Sequence, residues 1–471
     1  AGSANVIKIA VELVGEIIEH RGQVRFSRGI TNYPPLGSPA HQIRNGDLAA
    51  IHNPVGRKSA VIGQLSQDAT IPAVVSIDDM VNRHFAIVGT TGTGKSSSVS
   101  LLLRKIIENR PDLRVLILDP HNEFERAFPD LAVNIDCDNL DLPYWLFQHE
   151  ELIEVIFRGR HGVEEEVDAL RDLVAQAKKM FNEKLRQSRS LLRSEPRVMA
   201  VTADMPLPYR MSDLLRLIEN GIGQLDARYD RAILKTLKNR LEYLIGDPRY
   251  RFMFSQKAVG DNMDEIIGRI FRVPVNGRPI TTFQLSGIPS EVVNSVVSVL
   301  CRMAFDLAVW SRGACEVLVL CEEAHRYVPV DSKLGFFPTR QAIARIAKEG
   351  RKYGAYLGIV TQRPGELDPT ILSQCSTVFS MRLANEVDQE IIRSAISDSS
   401  ASTLSFLSSI GNQEAIAFGE GIATPMRIRF ADLPPEQIPG APEDILRNKT
   451  TTGQADISRI IAAMRAVHDN N

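Results

Sequence analysis

Residues 84–98 read HFAIVGTTGTGKSSS, an order of residue types suited to holding a triphosphate. Gly89, four residues, then Gly94, Lys95 and Ser96 give the spacing G-x-x-x-x-G-K-[ST]. In such a turn the glycines let backbone N–H groups face phosphate oxygens. The lysine reaches the β- and γ-phosphates, and the hydroxyl that follows it ligates Mg²⁺. Gly89, Thr90, Thr91, Gly92, Thr93, Gly94, Lys95, Ser96 and Ser97 are therefore the expected nucleotide-binding residues, with Ser96 also on the metal. The apolar run 85–88 predicts a buried strand before the loop. Residues 99–109 predict a helix after it, its N-terminus turned to the anion.

Hydrolysis needs more than a cradle: a metal shell, an oriented water and positive charge on the transition state. The stretch VLVLCEEAH puts two acids after an apolar strand, 317–321. Glu322 is the expected metal-side acid, acting directly or through water, and Glu323 the residue that polarises the attacking water. A further apolar strand, 356–360, leads into Thr361 and Gln362. The Gln362 amide is placed to bond the γ-phosphate or the water. Between these strands, residues 340–352 carry Arg340, Arg345, Lys348, Arg351 and Lys352 against Glu349. Some of these charges are candidates for a cation reaching a neighbouring subunit's nucleotide, with no single one picked out by the pattern; a solvated helix face is the other reading. The strand 115–118 ends in Asp119-Pro120-His121-Asn122-Glu123, either a simple exit from the strand or part of the nucleotide site.

These residues need a scaffold, and the rest of the chain predicts one. The 471 residues suffice for two or three domains, with 44% hydrophobic residues for a large core. A net charge of −2 carries no global nucleic-acid signal, so DNA contact would come from local patches. Cys137, Cys301, Cys315, Cys321 and Cys375 are scattered without C-x-x-C pairs, as expected for buried thiols in a reducing cytoplasm. No apolar run approaches a membrane span and no signal-peptide pattern opens the chain.

Strand-like stretches at 6–14, 23–26, 47–52 and 60–64 predict a small N-terminal β-barrel or sandwich over residues 1–75, for packing or oligomerisation. Alternating strands and helices at 76–146 and again at 266–435 predict the two parts of an α/β core with a mainly parallel sheet. Between them, 147–265 shows helical periodicity at 150–157, 162–183, 211–219 and 226–245, and reads as a helical insertion. Its Ser/Arg-rich middle, 186–197, is either solvated or turned to nucleic acid. Residues 240–254 mix aromatics with arginines and read as packing onto the core. A Pro-rich tail over 436–471 ends in an amphipathic helix, 457–467, whose apolar face needs a partner.

The ordered set HFAIVGTTGTGKS, LDPHNEF, LCEEAHRYVP, RIAKEGRKYG, TQRPGELDP and LSQCSTVFSMRLANEVDQ resembles the HerA family of hexameric DNA translocases, bacterial type, within the FtsK–HerA ATPases. The likeness runs from about residue 5 to residue 430. It implies a RecA-like core, ATP and Mg²⁺, and a homo-oligomeric ring, usually a hexamer, that pumps double-stranded DNA. Lys95, Ser96, Glu322, Glu323 and Gln362 match the family's ATPase residues. Asp119, His121 and Glu123 match a motif close to its nucleotide. The resemblance implies a partner docked on the N-terminal barrel: a NurA-like nuclease in DNA end processing, or a nuclease or sirtuin-like effector in anti-phage defence. An ATP-gated scaffold that activates such an effector, with little translocation, is the alternative. A conjugation or secretion ATPase is a third reading, set against the absence of a predicted membrane segment.

Overall fold

The computed structural model describes residues 11, 13–20, 23–52, 58–136, 139–159, 162–188, 201–224, 228–254, 260–331, 333–394 and 407–440. Its strands in chain order are β1 Gly15–His20, β2 Gln23–Arg28, β3 Ser59–Leu65, β4 Pro72–Ser76, β5 Phe85–Val88, β6 Arg114–Asp119 and β7 Ala132–Ile135. They continue with β8 Ile280–Gln284, β9 Val317–Cys321, β10 Ala355–Thr361, β11 Thr377–Ser380, β12 Glu414–Gly419 and β13 Met426–Phe430. The chain divides into two compact units. One comprises residues 1–113, 308–334 and 344–438; the other comprises 114–307, 335–343 and 439–471.

In the first unit the strand order is β4-β3-β13-β12-β11-β5-β10-β9. Strands β11, β5, β10 and β9 are parallel neighbours. Strands β12, β13, β3 and β4 extend the sheet antiparallel. Every residue of β5, β9 and β10 is buried. That is why FAIV, VLVLC and AYLGIVT are near-continuous apolar runs: parallel strands are covered on both faces. Gly358 sets the packing at the centre. A Cβ there would stand 2.7 Å from Leu320 Cδ1 and 2.8 Å from Phe85 Cζ, so the missing side chain is the space that the Phe85 ring uses.

The second unit holds the parallel strands β6, β8 and β7. It also holds the insertion helices His149–Phe157, Glu164–Ser188, Met211–Gly223, Arg231–Gly246 and Met263–Ile270. The expected helical insertion is therefore present. Tyr250, Phe252 and Met253 are buried, so the aromatic stretch at 240–254 packs inward. Glu151, 1% exposed, accepts from Arg302 at 2.8 Å and from Ser298 at 2.6 Å. That buried pair fastens helix His149–Phe157 to helix Ser290–Trp310.

Several expectations change. Residues 47–52 form the end of a helix, Asn45–His52, not a strand. Asp47 lies in its first turn, where a negative charge is favoured, and Ala49 and Ala50 are strong helix formers. Among the described residues of 1–75 no barrel closes. β1 and β2 pair with each other, while β3 pairs with β13 and β4 and so belongs to the large sheet. Residues 395–406 and most of the tail, with the helix expected at 457–467, lie outside the described residues, as do 189–200 and Cys137. Cys301, Cys315, Cys321 and Cys375 are buried thiols outside any disulfide. Helix Ser290–Trp310 is long and apolar enough to cross a membrane, against the reading that no run is. However, 67% of its most apolar window is buried within the protein.

Replacing Gly358 with valine should overpack the central strand, costing about 1–3 kcal/mol. A lowered urea midpoint at unchanged slope would register it. An unchanged midpoint would mean that Phe85 and Leu320 can yield.

Candidate active site

The parallel pairing decides where chemistry can occur. Val88 of β5 stands beside Thr361 of β10 and Ser380 of β11, and Ile359 of β10 stands beside Cys321 of β9. All four strands therefore end on one edge. Gly89, Gln362, Glu322 and Met381 are the residues reached on leaving them. Sites in such sheets form outside the carboxyl ends of the strands.

The loop is built from glycine geometry and braced by its neighbours. Gly92 and Gly94 have φ of 78° and 97°, in the left-handed region that a side chain resists. A Cβ at Gly89 would lie 2.7 Å from Met381 Cβ. Gly94 is the N-cap of helix Lys95–Asn109, which begins with Lys95, Ser96 and Ser97. Thr93, fully buried, bonds the Thr90 carbonyl at 2.7 Å through its hydroxyl, and Lys95 Nζ donates to the same carbonyl at 3.2 Å. From outside the motif, Thr90 N donates to the Arg382 carbonyl at 3.0 Å and Gln413 N to the Thr93 carbonyl at 2.9 Å. The sequence reading missed Met381, Arg382 and Gln413 as braces. Met381 and Arg382 follow the short apolar strand β11 and Gln413 precedes β12, positions that carry little signal in sequence.

Glu322 and Glu323 are 5% and 7% exposed at the end of β9. Glu323 adopts φ 49°, the left-handed conformation, as the chain turns into the short 3₁₀ turn Ala324–Arg326. For a non-glycine residue this costs on the order of 1–2 kcal/mol and tends to mark functional positions. Glu323 Oε2 lies 3.3 Å from His325 Nδ1. That nitrogen is also 3.0 Å from Thr361 Oγ1. Burial pulls the His325 pKa down, while the Glu323 carboxylate works against that shift. Gln362 reaches the loop: its Oε1 accepts the Thr91 hydroxyl. The structure thus brings Glu322, Glu323 and Gln362 to the edge that carries the phosphate loop. His325 and Thr361 join them as residues the sequence reading left without a role.

The other predicted site residues lie on other elements. Lys348 lies in the last turn of helix Phe337–Glu349 and Arg351 in the 3₁₀ turn after it; both are exposed. Asp119, His121 and Glu123 belong to the second unit. The Asp119 carboxylate, fully buried, accepts from three backbone N–H groups: His121 and Glu123 at 3.2 Å and Phe124 at 2.9 Å. Its direct work is to shape the loop that presents the other two.

A profile described as Helicase HerA, central domain, matches residues 60–304, more than half of the chain. The chain belongs to the HerA helicase family. Together with the loop and the acids, this makes it a phosphate-loop ATPase. The DNA double-strand break repair helicase HerA of Pyrococcus furiosus is 23% identical over 92% of this chain and 78% of its own length. Two solved structures share the fold. VirB4 of Thermoanaerobacter pseudethanolicus has a TM-score of 0.54 at 17% identity, over 82% of this chain and 99% of its own. Plasmid coupling protein TrwB, solved with a non-hydrolysable ATP analogue, has 0.52 at 14%, over 86% and 99%.

In this HerA-family chain a buried histidine seats the loop strand. His84 has φ 61° and is 3% exposed. Its Nδ1 accepts from Leu357 N at 2.9 Å, so the proton is on Nε2, which donates to the Ala347 carbonyl at 3.1 Å. Burial first, with some repulsion from Arg351, pushes its pKa down to about 4. The folded value lies below the unfolded one, so His84 stabilises the fold above about pH 6.5, and this contribution is lost as pH falls toward 4. It amounts to roughly 3 kcal/mol at most. Urea titrations at intervals across that window should show His84→Gln with a flatter pH dependence than the parent. Parallel curves would count against this assignment.

Proposed function

We propose that this chain is one subunit of a ring, a hexamer by family habit, that hydrolyses ATP to translocate double-stranded DNA. The observation that carries the reading is the gathering of Lys95, Glu323 and Gln362 at one sheet edge in a HerA-family chain. ATP fits the loop because Gly89, Gly92 and Gly94 leave the backbone open where a Cβ would strain or collide. Ser96 and the buried Glu322 offer a hydroxyl and a carboxylate for Mg²⁺, which when bound neutralises charge on the β- and γ-phosphates. Lys95 holds the phosphates, Glu323 takes up the proton of the attacking water, and Gln362 orients it. Arg351 or Lys348, exposed, supplies the cation to the adjacent subunit's nucleotide. His121 and Glu123, held by Asp119, serve the nucleotide side. DNA is gripped by its phosphates, so binding weakens with salt and depends little on sequence.

A partner docks on the N-terminal segment: a NurA-like nuclease, or a nuclease or sirtuin-like defence effector. The β1–β2 hairpin supports this reading, since Val14, Ile17 and Ile18 are 46%, 42% and 40% exposed there. Cutting the chain at residue 75 would not isolate this segment, because β3 and β4 belong to the large sheet. A cytoplasmic setting suits a DNA motor.

Turnover should rise when duplex DNA is added to the purified protein, and DNA should be retained at low salt. An ATPase rate indifferent to DNA, with no retention, would favour the effector scaffold. Glu323→Gln should bind a fluorescent ATP analogue normally and turn over no ATP; persisting turnover would overturn the water assignment. Lys95→Ala should lose nucleotide binding itself.

A further inference from the structure

Glu323 Oε2 is buried and lacks a hydrogen bond of ordinary geometry, and the His325 Nδ1 at 3.3 Å is the donor facing it. The same Nδ1 lies 3.0 Å from Thr361 Oγ1, which also accepts from Arg363 N at 3.1 Å. A lone pair on Nδ1 would face a carboxylate, so the proton belongs on Nδ1. Side chains at the end of β9 and β10 are thereby joined through one imidazole. From β10 the connection continues, since Gln362 follows Thr361 and accepts the Thr91 hydroxyl of the phosphate loop.

We infer that His325 is the positioning residue of the hydrolytic carboxylate: its Nδ1–H, bonded to Thr361 Oγ1 and standing 3.3 Å from Glu323 Oε2, attracts that carboxylate and holds Glu323 in register with Gln362 and the loop. The physical need is clear. Glu323 sits on a left-handed turn with a long, rotatable side chain, and a base displaced by about 1 Å loses on the order of 10²-fold in rate. Binding of ATP does not depend on this contact. The inference rests on the reading of Glu323 as the residue that acts on water.

The test compares His325→Ala, His325→Asn and His325→Gln in the full chain. ATP turnover, affinity for a fluorescent ATP analogue and melting temperature are measured for each. The asparagine amide nitrogen can stand near the Nδ1 position, whereas the glutamine amide mimics Nε2. His325→Ala should lower kcat on the order of 10²-fold. KM and analogue affinity should stay within about twofold. His325→Asn should recover most of the rate and His325→Gln little of it. In a Glu323→Gln background, His325→Ala should change nothing further.

A parent-like kcat in His325→Ala, while Glu323→Gln is inactive, overturns the positioning role alone. So does an equal loss in the alanine and asparagine variants accompanied by a lower melting temperature, which would assign His325 to folding. Turnover by Glu323→Gln would instead remove the underlying reading, and this inference with it.

Discussion

The site depends on parallel pairing among β11, β5, β10 and β9. A parallel pair cannot be closed by a tight turn, so each strand is reached by a crossover and each begins again at the same end. Every exit therefore falls on one edge. A glycine loop, an amide, two acids and the bracing pair Met381 and Arg382 arrive there from four distant stretches of sequence. No single segment encodes the site; the pairing register assembles it. The buried, unbroken apolar character of these strands is the thermodynamic counterpart, since it secures a sheet covered on both faces.

Positioning at that edge is achieved largely by main chain and by polar groups with settled partners. The phosphate loop is braced through its carbonyls and amides by residues around 382 and 413. His84 uses both ring nitrogens on backbone groups, one from β10 and one at the end of the basic helix. Such contacts order a backbone without committing the outward-facing groups, which leaves Glu323 and Gln362 available for chemistry.

Much of this was legible in sequence where the signal is local. Gly89–Ser96 carries its mechanism in its own spacing, and the strands at 85–88, 317–321 and 355–361 announce themselves as apolar runs. The insertion helices are legible because their apolar positions recur at helical spacing over many residues. What was not legible is long-range or short. Residues 47–52 offer a brief apolar run that suits either state, and the Asp–Ala composition that favours a helix was the deciding cue. Strand β13, MRIRF, buries Met426, Ile428 and Phe430 and alternates them with a part-buried Arg427 and an exposed Arg429, a readable alternation. The pairing of β3 with β13 joins segments some 360 residues apart (Leu65 beside Ile428), which no local pattern reveals. Likewise, His325 becomes meaningful only when β9 and β10 lie side by side.

One link across the first unit has a mechanical meaning. Arg28, the last residue of β2, donates through Nε to the Ala423 carbonyl at 2.9 Å and through Nη2 to the carbonyls of Gly419, at 2.5 Å, and Ile422. Gly419 ends β12 and the other two lie in the bend that leads to β13, and β12 is hydrogen-bonded to β11, whose continuation buttresses Gly89. The planar guanidinium fixes direction as well as distance. The hairpin is thus not a free flap sliding on oily surface. A sideways pull on it would meet directional bonds to main-chain oxygens, and the strain would pass along a hydrogen-bonded ladder toward the turn that grips the nucleotide.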